Sequence, residues 1–251
     1  LLGCISYSQE SLAILFGVFL LIGVYEFCKI AALNLFVSLP IAAISYYFLW
    51  NKSQNFTIKT IIVSLSIIIS IKLLLYLFNT QKTNFKIATR YLLLIGYIII
   101  PFVITNYVAI GKNGYNPKIL ISILILIWAN DTFAYLVGKN FGKNKLFPSV
   151  SPKKTIEGFV GGMFFTIISS VLLSKFYIES NILYIWIIIA IIVSIFSTLG
   201  DLIQSKFKRV AGIKDSGKIM PGHGGILDRL DSIIFVIPFI NLFYLILYYV
   251  S

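Results

Sequence analysis

The stretch "ILYIWIIIAIIVSIFSTLGDLI", residues 182–203, decides the fold class. It contains no charged side chain before Asp201. Crossing ~30 Å of hydrocarbon takes roughly 20 apolar helical residues. Because lipid offers no hydrogen bonds, every backbone amide must be satisfied within its own segment, and we predict a transmembrane helix here.

Runs of the same length and character recur along the 251-residue chain, which is 59% hydrophobic and 12% charged, with a mean hydropathy of +0.94. A transmembrane barrel would show shorter alternating segments. The predicted fold class is therefore an all-α polytopic transmembrane helical bundle, and because "LLGCISYSQE" resembles the tail of a preceding element, we expect a further N-terminal helix before it. The predicted spans are residues 12–28, 31–50, 60–78, 91–110, 118–137, 159–177, 182–203 and 232–250.

We predict one membrane-embedded domain, residues 1–251, with a helical N-terminal part (1–115) and a catalytic part (116–251). Cys4 and Cys28 are too few and too badly placed for a disulfide framework or a zinc site. Glu26 and Lys29 lie one turn apart at a helix end, and we expect a local ion pair between them at the membrane interface.

The net charge of +12 is unevenly distributed. If the eight spans alternate in direction, the loops on one side carry 15 of the 21 basic residues. The positive-inside rule then places that side in the cytoplasm and argues against a nucleic-acid partner. These residues are Lys29, Lys82, Lys86, Arg90, Lys139, Lys143, Lys145, Lys153, Lys154, Lys206, Lys208, Arg209, Lys214, Lys218 and Arg229. The two long loops on this side are residues 138–158 and 204–231.

Two predicted helices carry an aspartate near the cytoplasmic end: Asp131 in "WANDTFAYLVGKNFGKNKL" and Asp201 in "STLGDLIQSKFKR". A carboxyl group at that depth costs several kcal/mol unless it is paired, hydrated or bound to a cation. Asp131 either joins a structural hydrogen-bonding cluster or faces a water-filled cavity, and we favour the cavity. Ser205 shares the helix face of Asp201. Negative charge at a helix C-terminus is unfavourable, which favours a bound cation there.

Basic residues follow or precede these helices. Lys208 and Arg209, at the membrane surface, bind either anionic lipid headgroups or a phosphorylated substrate. In "SPKKTIEGFVGG" (Ser151 to Gly162), Thr155 is placed to cap a helix, and Lys153 and Lys154 flank its amide-rich end. That end is either an anion site or simply a well-capped helix with glycines for close packing.

The stretch "KDSGKIMPGHGGILDRLDS" (Lys214 to Ser232) holds three of the nine acidic residues and the only histidine. Its glycines allow backbone amides to approach an anion closely. Asp228 and Asp231, three residues apart, share a helix face, where they either cap the helix after a turn or bind a cation, and we favour the cation site. Carboxylates are hard oxygen ligands that suit Mg²⁺ held together with substrate phosphates. With the lysines and arginines, this predicts phosphoryl or nucleotidyl transfer to a lipid.

"SKFKRVAGIKDSGKIMPGHGGILDRLD" (Ser205 to Asp231) closely resembles the signature of the phosphatidate cytidylyltransferases, also called CDP-diacylglycerol synthases. "NDTFAYLVGKNFGK", "SPKKTIEGFVGG" and "GDLIQS" are similar to the family's upstream blocks. The resemblance is strong over residues 120–250, and before them it extends to hydrophobic helices with a glutamate at the position of Glu26. Asn130 departs from the pattern, which favours a small residue there.

The resemblance implies a magnesium-dependent enzyme of the inner (plasma) membrane whose active site faces the cytoplasm. It would join CTP and phosphatidic acid to give CDP-diacylglycerol and pyrophosphate, the first committed step of phospholipid synthesis, and a homodimer is an arrangement that it leaves open. The implied metal ligands are Asp201 and Asp228, with Asp131 and Asp231 completing an acidic cluster for a second cation such as K⁺. The implied catalytic residues are Asp201, Asp228, Asp231, Lys214 and His223, with His223 donating a hydrogen bond to phosphate, and the implied substrate-binding residues are Ser205, Lys208, Arg209, Arg229, Lys153, Lys154, Gly224 and Gly225.

Three other functions compete with this one. A phosphotransferase that consumes CDP-diacylglycerol would need a different aspartate array and would not act on CTP. A transporter could use Asp131 and Asp201 as a cation relay, but it would not need a loop rich in glycine and lysine. A structural membrane subunit leaves the buried acids unexplained.

Overall fold

The computed structural model describes residues 1–51, 55–79, 85–111, 114–179, 182–217 and 224–250. The α-helices in those ranges are α1 Leu2–Tyr7, α2 Gln9–Ala31, α3 Leu35–Asn51, α4 Phe56–Phe78, α5 Ile87–Leu93, α6 Ile100–Val108, α7 Pro117–Phe141, α8 Ile156–Leu173, α9 Leu183–Val210 and α10 Leu227–Val250. The strands are β1 Ile110–Gly111, β2 Gly114–Tyr115, β3 Lys145–Phe147 and β4 Ser151–Thr155. A π-helical turn, Leu94–Ile99, joins α5 to α6, and a second, Ser174–Ile178, extends α8.

Among the described residues, seven helices are long and apolar enough to cross a membrane, and α3 is a shorter apolar helix of 17 residues. Each of the eight predicted spans corresponds to one of these helices, with Ile87–Val108 forming the fourth. The predicted polytopic helical bundle is confirmed. The chain is a multi-pass membrane protein.

The helix ends around the long loops differ from the prediction. α9 continues to Val210, beyond the expected end at residue 203, because its polar last turns still bury Phe207. The Phe207 ring stacks on Tyr76 at 5.5 Å and meets Phe27 edge-on at 6.0 Å. α10 begins at Leu227 rather than at residue 232, so Asp228 and Asp231 lie in its first turns. The connections therefore shorten to residues 142–155 and 211–226.

The connection between α7 and α8 contains an antiparallel hairpin that the sequence did not predict. β3 pairs with β4 in a register that joins Lys145 to Thr155. As predicted, Thr155 caps α8, where its Oγ1 accepts a hydrogen bond from the Gly158 amide. The hairpin fixes the backbone of Lys153 and Lys154 just before the helix begins.

Close packing joins the helices that carry the aspartates. A Cβ atom on Gly161 would lie 2.6 Å from Val137, so the glycine allows α8 to approach α7. Likewise, a Cβ atom on Gly200 would lie 2.8 Å from the Asp231 carbonyl oxygen, which brings α9 against α10. Small residues serve this purpose at transmembrane helix interfaces because backbones can then approach closely.

Basic side chains close helix ends on the side of the bundle predicted to be cytoplasmic. Arg90 donates to the Ala31 carbonyl at 2.9 Å, at the end of α2. Lys206 donates to the carbonyls of Tyr76, at 2.5 Å, and Asn79, at 2.7 Å, at the end of α4. Cations at helix C-termini satisfy free carbonyl groups and favourably oppose the helix dipole.

Candidate active site

A cavity of about 1080 Å³ opens between α7, α8, α9, α10 and the β3–β4 hairpin. Four aspartates reach it: Asp131, Asp201, Asp228 and Asp231. Its cationic lining residues are Lys139, Lys145, Lys153, Lys154 and Arg229. Apolar side chains, among them Phe19, Trp128 and Phe159, also line it. The cavity therefore combines a charged part with an apolar part inside one bundle.

Asp201, near the cytoplasmic end of α9, is held by two side chains from other elements. The Lys154 ammonium donates to Oδ2 at 2.6 Å, and the Ser232 hydroxyl donates to Oδ1 at 2.8 Å. The Asp231 carboxyl group of α10 lies next to that of Asp201, and both line the cavity. Three elements far apart in sequence thus meet at one carboxyl group.

Asp131 of α7 completes this acidic group. It lies close enough to Asp201 and Lys154 for their charges to interact. The neighbouring Asn130 is buried and donates to the Ser197 hydroxyl at 3.0 Å, which ties α7 to α9. The Asn130 oxygen Oδ1 has no hydrogen-bond partner. Asp131 itself faces the cavity, as the sequence analysis favoured.

Lys154 lies in β4, between the aspartates and the start of α8. Burial alone would lower the pKa of its ammonium group, but the carboxyls of Asp201, Asp131 and Asp231 outweigh it and raise that pKa. Lys154 therefore remains charged at neutral pH. A charged amine here offsets part of the repulsion among three neighbouring acids.

Asp228, in the first turn of α10, has a different set of partners. The Lys208 ammonium donates to Oδ1 at 2.6 Å, while the amides of Ser216 and Gly225 donate to Oδ2 at 2.7 and 3.0 Å. Gly224 adopts a φ of +85°, and a Cβ atom there would lie 2.7 Å from the Asp228 Oδ2. Only glycine fits both the backbone conformation and the space.

The structure brings most of the predicted site residues together. Lys153, Ser205 and Arg229 line the cavity with the four aspartates and Lys154. Lys208, Gly224 and Gly225 contact or adjoin Asp228. Arg209 and Lys214 are exposed instead, and Arg209 donates to the Ile213 carbonyl at 3.4 Å beyond the end of α9. The predicted site residue His223 lies outside the described residues.

The acids suit a hard cation through their donor chemistry. Within the part of the chain that the structure describes, no group of three or more Asp, Glu, His or Cys side chains is placed to hold a metal ion. Mg²⁺ commonly takes only one or two protein carboxylates and completes its shell with water and substrate phosphates. The adjacent carboxyl groups of Asp201 and Asp231, in the charged part of the cavity, fit that requirement.

Sequence reasoning assigned Glu26 wrongly. It does not pair with Lys29, whose ammonium instead lies 4.0 Å from the centre of the Tyr25 ring. Glu26 is fully buried, and its carboxyl group accepts hydrogen bonds from the Ser216 hydroxyl at 2.8 Å and from the amides of Ile226 and Leu227 at 3.0 and 2.9 Å. The sequence signal was an acid inside an apolar run, where an internal partner is the expected solution. Ser232, the partner of Asp201, had no role in the prediction either.

Comparison of the sequence with known proteins identifies the family of this chain. The sequence model of the cytidylyltransferase family matches residues 1–247. The phosphatidate cytidylyltransferase of Staphylococcus haemolyticus (strain JCSC1435) is 40% identical over 190 residues, which cover 75% of this chain and 70% of the relative. That of Staphylococcus aureus (strain COL) is 41% identical over 191 residues, with the same two coverages. That of Staphylococcus saprophyticus is 44% identical over 165 residues, 65% of this chain and 62% of the relative. The chain belongs to the cytidylyltransferase family.

Proposed function

We propose that this protein transfers the cytidylyl group of CTP to phosphatidic acid, producing CDP-diacylglycerol and pyrophosphate. The observation that carries the proposal is the cavity, in which carboxyl and ammonium groups adjoin an apolar lining within a membrane bundle. A substrate with a phosphate head and acyl chains needs both environments at once. The family membership and the names of the relatives support the same reaction.

In the proposed reaction, a phosphate oxygen of phosphatidic acid attacks the α-phosphorus of CTP. A new P–O bond forms, the bond between the α-phosphorus and the bridging oxygen breaks, and pyrophosphate leaves. Because the attacking phosphate is already an anion at neutral pH, a general base is hardly needed. Catalysis then depends on positioning and charge neutralisation.

The cationic residues of the cavity are suited to that task. Lys153, Lys154 and Arg229 would bind the phosphates of the two substrates, and Lys208 would bind phosphate near Asp228. Arg209 and Lys214 stay in the predicted set, although their contacts do not argue for a particular role. His223 also stays in that set as a hydrogen-bond donor to phosphate, and it lies outside the described residues. Two anionic substrates repel one another, so several cations between them favour their close approach.

We further propose that Mg²⁺ binds at the acidic group, with Asp201 and Asp231 as the central ligands. Asp131 and Asp228 remain in the predicted ligand set, and a second cation such as K⁺ remains part of the proposal. When bound, Mg²⁺ would neutralise charge on the transferring phosphate and on the leaving pyrophosphate. The residues themselves orient the carboxyl groups, through Lys154 and Ser232 for Asp201.

We place the site on the cytoplasmic face of the plasma membrane. The loops that surround it belong to the side that carries 15 of the 21 basic residues, which supports this orientation. A homodimer is the oligomeric state left open by the sequence analysis, and a molecular-mass measurement in detergent would test it.

The proposal is tested with purified protein, CTP labelled in its α-phosphate, phosphatidic acid and Mg²⁺. We expect the label to enter a lipid-soluble product at the rate of pyrophosphate release, and only when phosphatidic acid is present. The matched variants are Glu179→Gln, at a residue that does not line the cavity, which should retain activity, and Asp201→Asn, at one that does, which should lose it. Label that remains water-soluble, or turnover of CDP-diacylglycerol with no activity on CTP, would overturn the assignment.

A further inference from the structure

The buried carboxyl group of Glu26 belongs to α2, in the N-terminal part of the chain, but its hydrogen-bond partners belong to the loop before α10. Ser216 precedes residues 218–223, and Ile226 and Leu227 follow them. The backbone on both sides of this segment is therefore attached to one side chain. The sequence separation of the partners, 190 to 201 residues, makes this a long-range tertiary contact rather than a local cap.

We propose that Glu26 is a positioning residue for the transfer reaction. It fixes the loop and the first turn of α10, and through them the orientation of Asp228. Part of this inference rests on the proposed function, because the effect on turnover concerns that reaction. The placement of the loop by Glu26 is a separate claim with its own measurement.

Ser216 is the link between Glu26 and Asp228. Its hydroxyl donates to Glu26 at 2.8 Å, and its amide donates to the Asp228 Oδ2 at 2.7 Å. Ser216 thus lies between two carboxyl groups from different helices. If the bond to Glu26 is lost, Ser216 is free to shift, and one of the three partners that orient Asp228 shifts with it.

The loop backbone surrounds the Glu26 carboxyl group closely enough to require glycine. A Cβ atom on Gly217 would overlap the Glu26 carboxyl, and its nearest contacts are all with Glu26. A Cβ atom on Gly225 would overlap both Glu26 oxygens and the Ser216 hydroxyl. Two glycines of the loop are therefore explained by Glu26 itself.

Glu26 also satisfies amides that the start of a helix leaves without partners. α10 begins at Leu227, and its first amides have no carbonyl acceptor within the helix. The Glu26 oxygens take the place that an N-cap side chain would normally fill. The start of α10 is thereby set by α2, and Asp228 is the next residue along the helix.

The experiment uses the full chain in detergent and compares Glu26→Gln with Glu10→Gln, which changes an exposed glutamate at the opposite end of the same helix. Glutamine has nearly the same volume but presents an NH₂ group to hydrogen-bond donors. We expect hydrogen exchange at the amides of Ile226 and Leu227 to accelerate by about 10-fold or more, because a lost acceptor exposes them to local opening. Exchange elsewhere in α2, α7 and α9 should not change, and Glu10→Gln should match the wild type throughout.

Turnover provides the second measurement. We expect Glu26→Gln to lower kcat/KM for CTP by about 10- to 100-fold, since small misplacements of reacting groups carry penalties of that order. The KM for phosphatidic acid should stay within about twofold, and Glu26→Asp, which keeps an acid on a shorter arm, should recover part of the loss. Unchanged exchange at both amides, or faster exchange across the whole bundle, would overturn the positioning role.

A double variant separates the contact from general damage. Gly217→Ala should reduce turnover by about 10-fold or more in the wild type, because its Cβ atom has no space beside Glu26. In a Glu26→Ala background that overlap is gone, and Gly217→Ala should add less than about a threefold loss. Additive losses would contradict the proposed contact. If the exchange results appear as expected but the wild type forms no CDP-diacylglycerol, the loop placement stands and the proposed reaction fails.

Discussion

Asp201 and Asp228 each pair with a lysine at 2.6 Å, but the two pairs have different surroundings. The Lys154–Asp201 pair faces the cavity, with side chains 31% and 23% exposed, and Asp201 also accepts a hydrogen bond from the Ser232 hydroxyl beside the Asp231 carboxyl group. The Lys208–Asp228 pair is more enclosed, at 12% and 10%, and Asp228 also accepts two backbone amides. The two ion pairs therefore have equal distances, but the Asp228 side chain is held by more hydrogen bonds to the backbone than the Asp201 side chain.

This difference indicates that the two aspartates have different roles. The Asp201 carboxyl group can exchange its lysine for a metal cation without disturbing any backbone hydrogen bond, because its partners are side chains. The Asp228 carboxyl group cannot release its amides without loosening the loop before α10. Asp201 is thus suited to binding a ligand in place of its lysine. Asp228, in contrast, takes part in the proposed site and also holds the loop backbone in place.

Replacing the two aspartates should give the largest effects. We expect Asp201→Asn and Asp228→Asn each to reduce kcat by about 10³-fold or more, because each removes negative charge where a cation is proposed to act. Both variants should remain folded. Turnover of purified protein under saturating CTP and phosphatidic acid measures the loss, and near-normal turnover would remove that residue from the site.

The alanine variants test the comparison itself. Asp228→Ala should accelerate hydrogen exchange at the amides of Ser216 and Gly225, whereas Asp201→Ala should leave both protected. Asp228→Asn should also leave them protected, because its remaining oxygen still accepts both bonds. Equal exchange in the Asp228→Ala and Asp201→Ala variants would show that the two acids do not differ in the way that their contacts suggest.

Substitutions at two glycines with positive φ test the contacts of Asp228 further, with smaller expected effects. Gly224→Ala and Gly212→Ala both introduce a side chain at a strained conformation, with φ of +85° and +72°. Each should lower the free energy of unfolding by about 1 kcal/mol. Only the Cβ atom at residue 224 meets Asp228, so kcat should fall by about 10-fold or more in Gly224→Ala and by less than twofold in Gly212→Ala.

Thermal unfolding and turnover of both glycine variants are the measurements. Gly212 serves as the matched control because a Cβ atom there meets nothing within 4 Å. Equal losses of activity in both variants would assign the effect at residue 224 to backbone strain alone. In that case the contact with Asp228 would not be limiting.

Composition and spacing predicted the bundle and most of the acids at the site. Apolar runs of about 20 residues can be detected without tertiary information because the bilayer fixes their length. Asp131 and Asp201 were visible because a charge inside such a run is costly. Because successive spans alternate in direction across the membrane, the helix ends that carry these acids and Asp231 were expected on the same side.

The roles of Glu26 and Ser232 could not be predicted in this way. Each depends on a partner that packing supplies across a large sequence separation, and spacing detects only neighbours on the same helix. Spacing along the helix therefore predicted Lys29 as the partner of Glu26. The β3–β4 hairpin was missed for a related reason, because its short strands carry little apolar alternation and pair only where α7 and α8 bring them together.

The last comparison is between Lys206 and Lys208, two residues apart on α9, and the expected effect of Lys206 on turnover is among the smallest. The Lys206 ammonium donates to three carbonyl groups at the end of α4 and lies 4.2 Å from the centre of the Tyr76 ring. Lys206→Met should therefore lower the free energy of unfolding by about 1–2 kcal/mol, mainly through lost charged hydrogen bonds. Turnover of the folded protein should stay within about twofold, because Lys206 has no contact with the acidic group.

The control for that experiment is Lys208→Met, which leaves Asp228 enclosed without its cation and should impair turnover strongly. Unfolding in detergent and specific activity, measured on the same preparations, separate the two lysines. If Lys206→Met also abolished activity in protein that remains folded, the end of α4 would have to communicate with the site. The stacked rings of Tyr76 and Phe207 would then be the physical connection to test, because Phe207 lies on the helix that carries both Asp201 and Lys208.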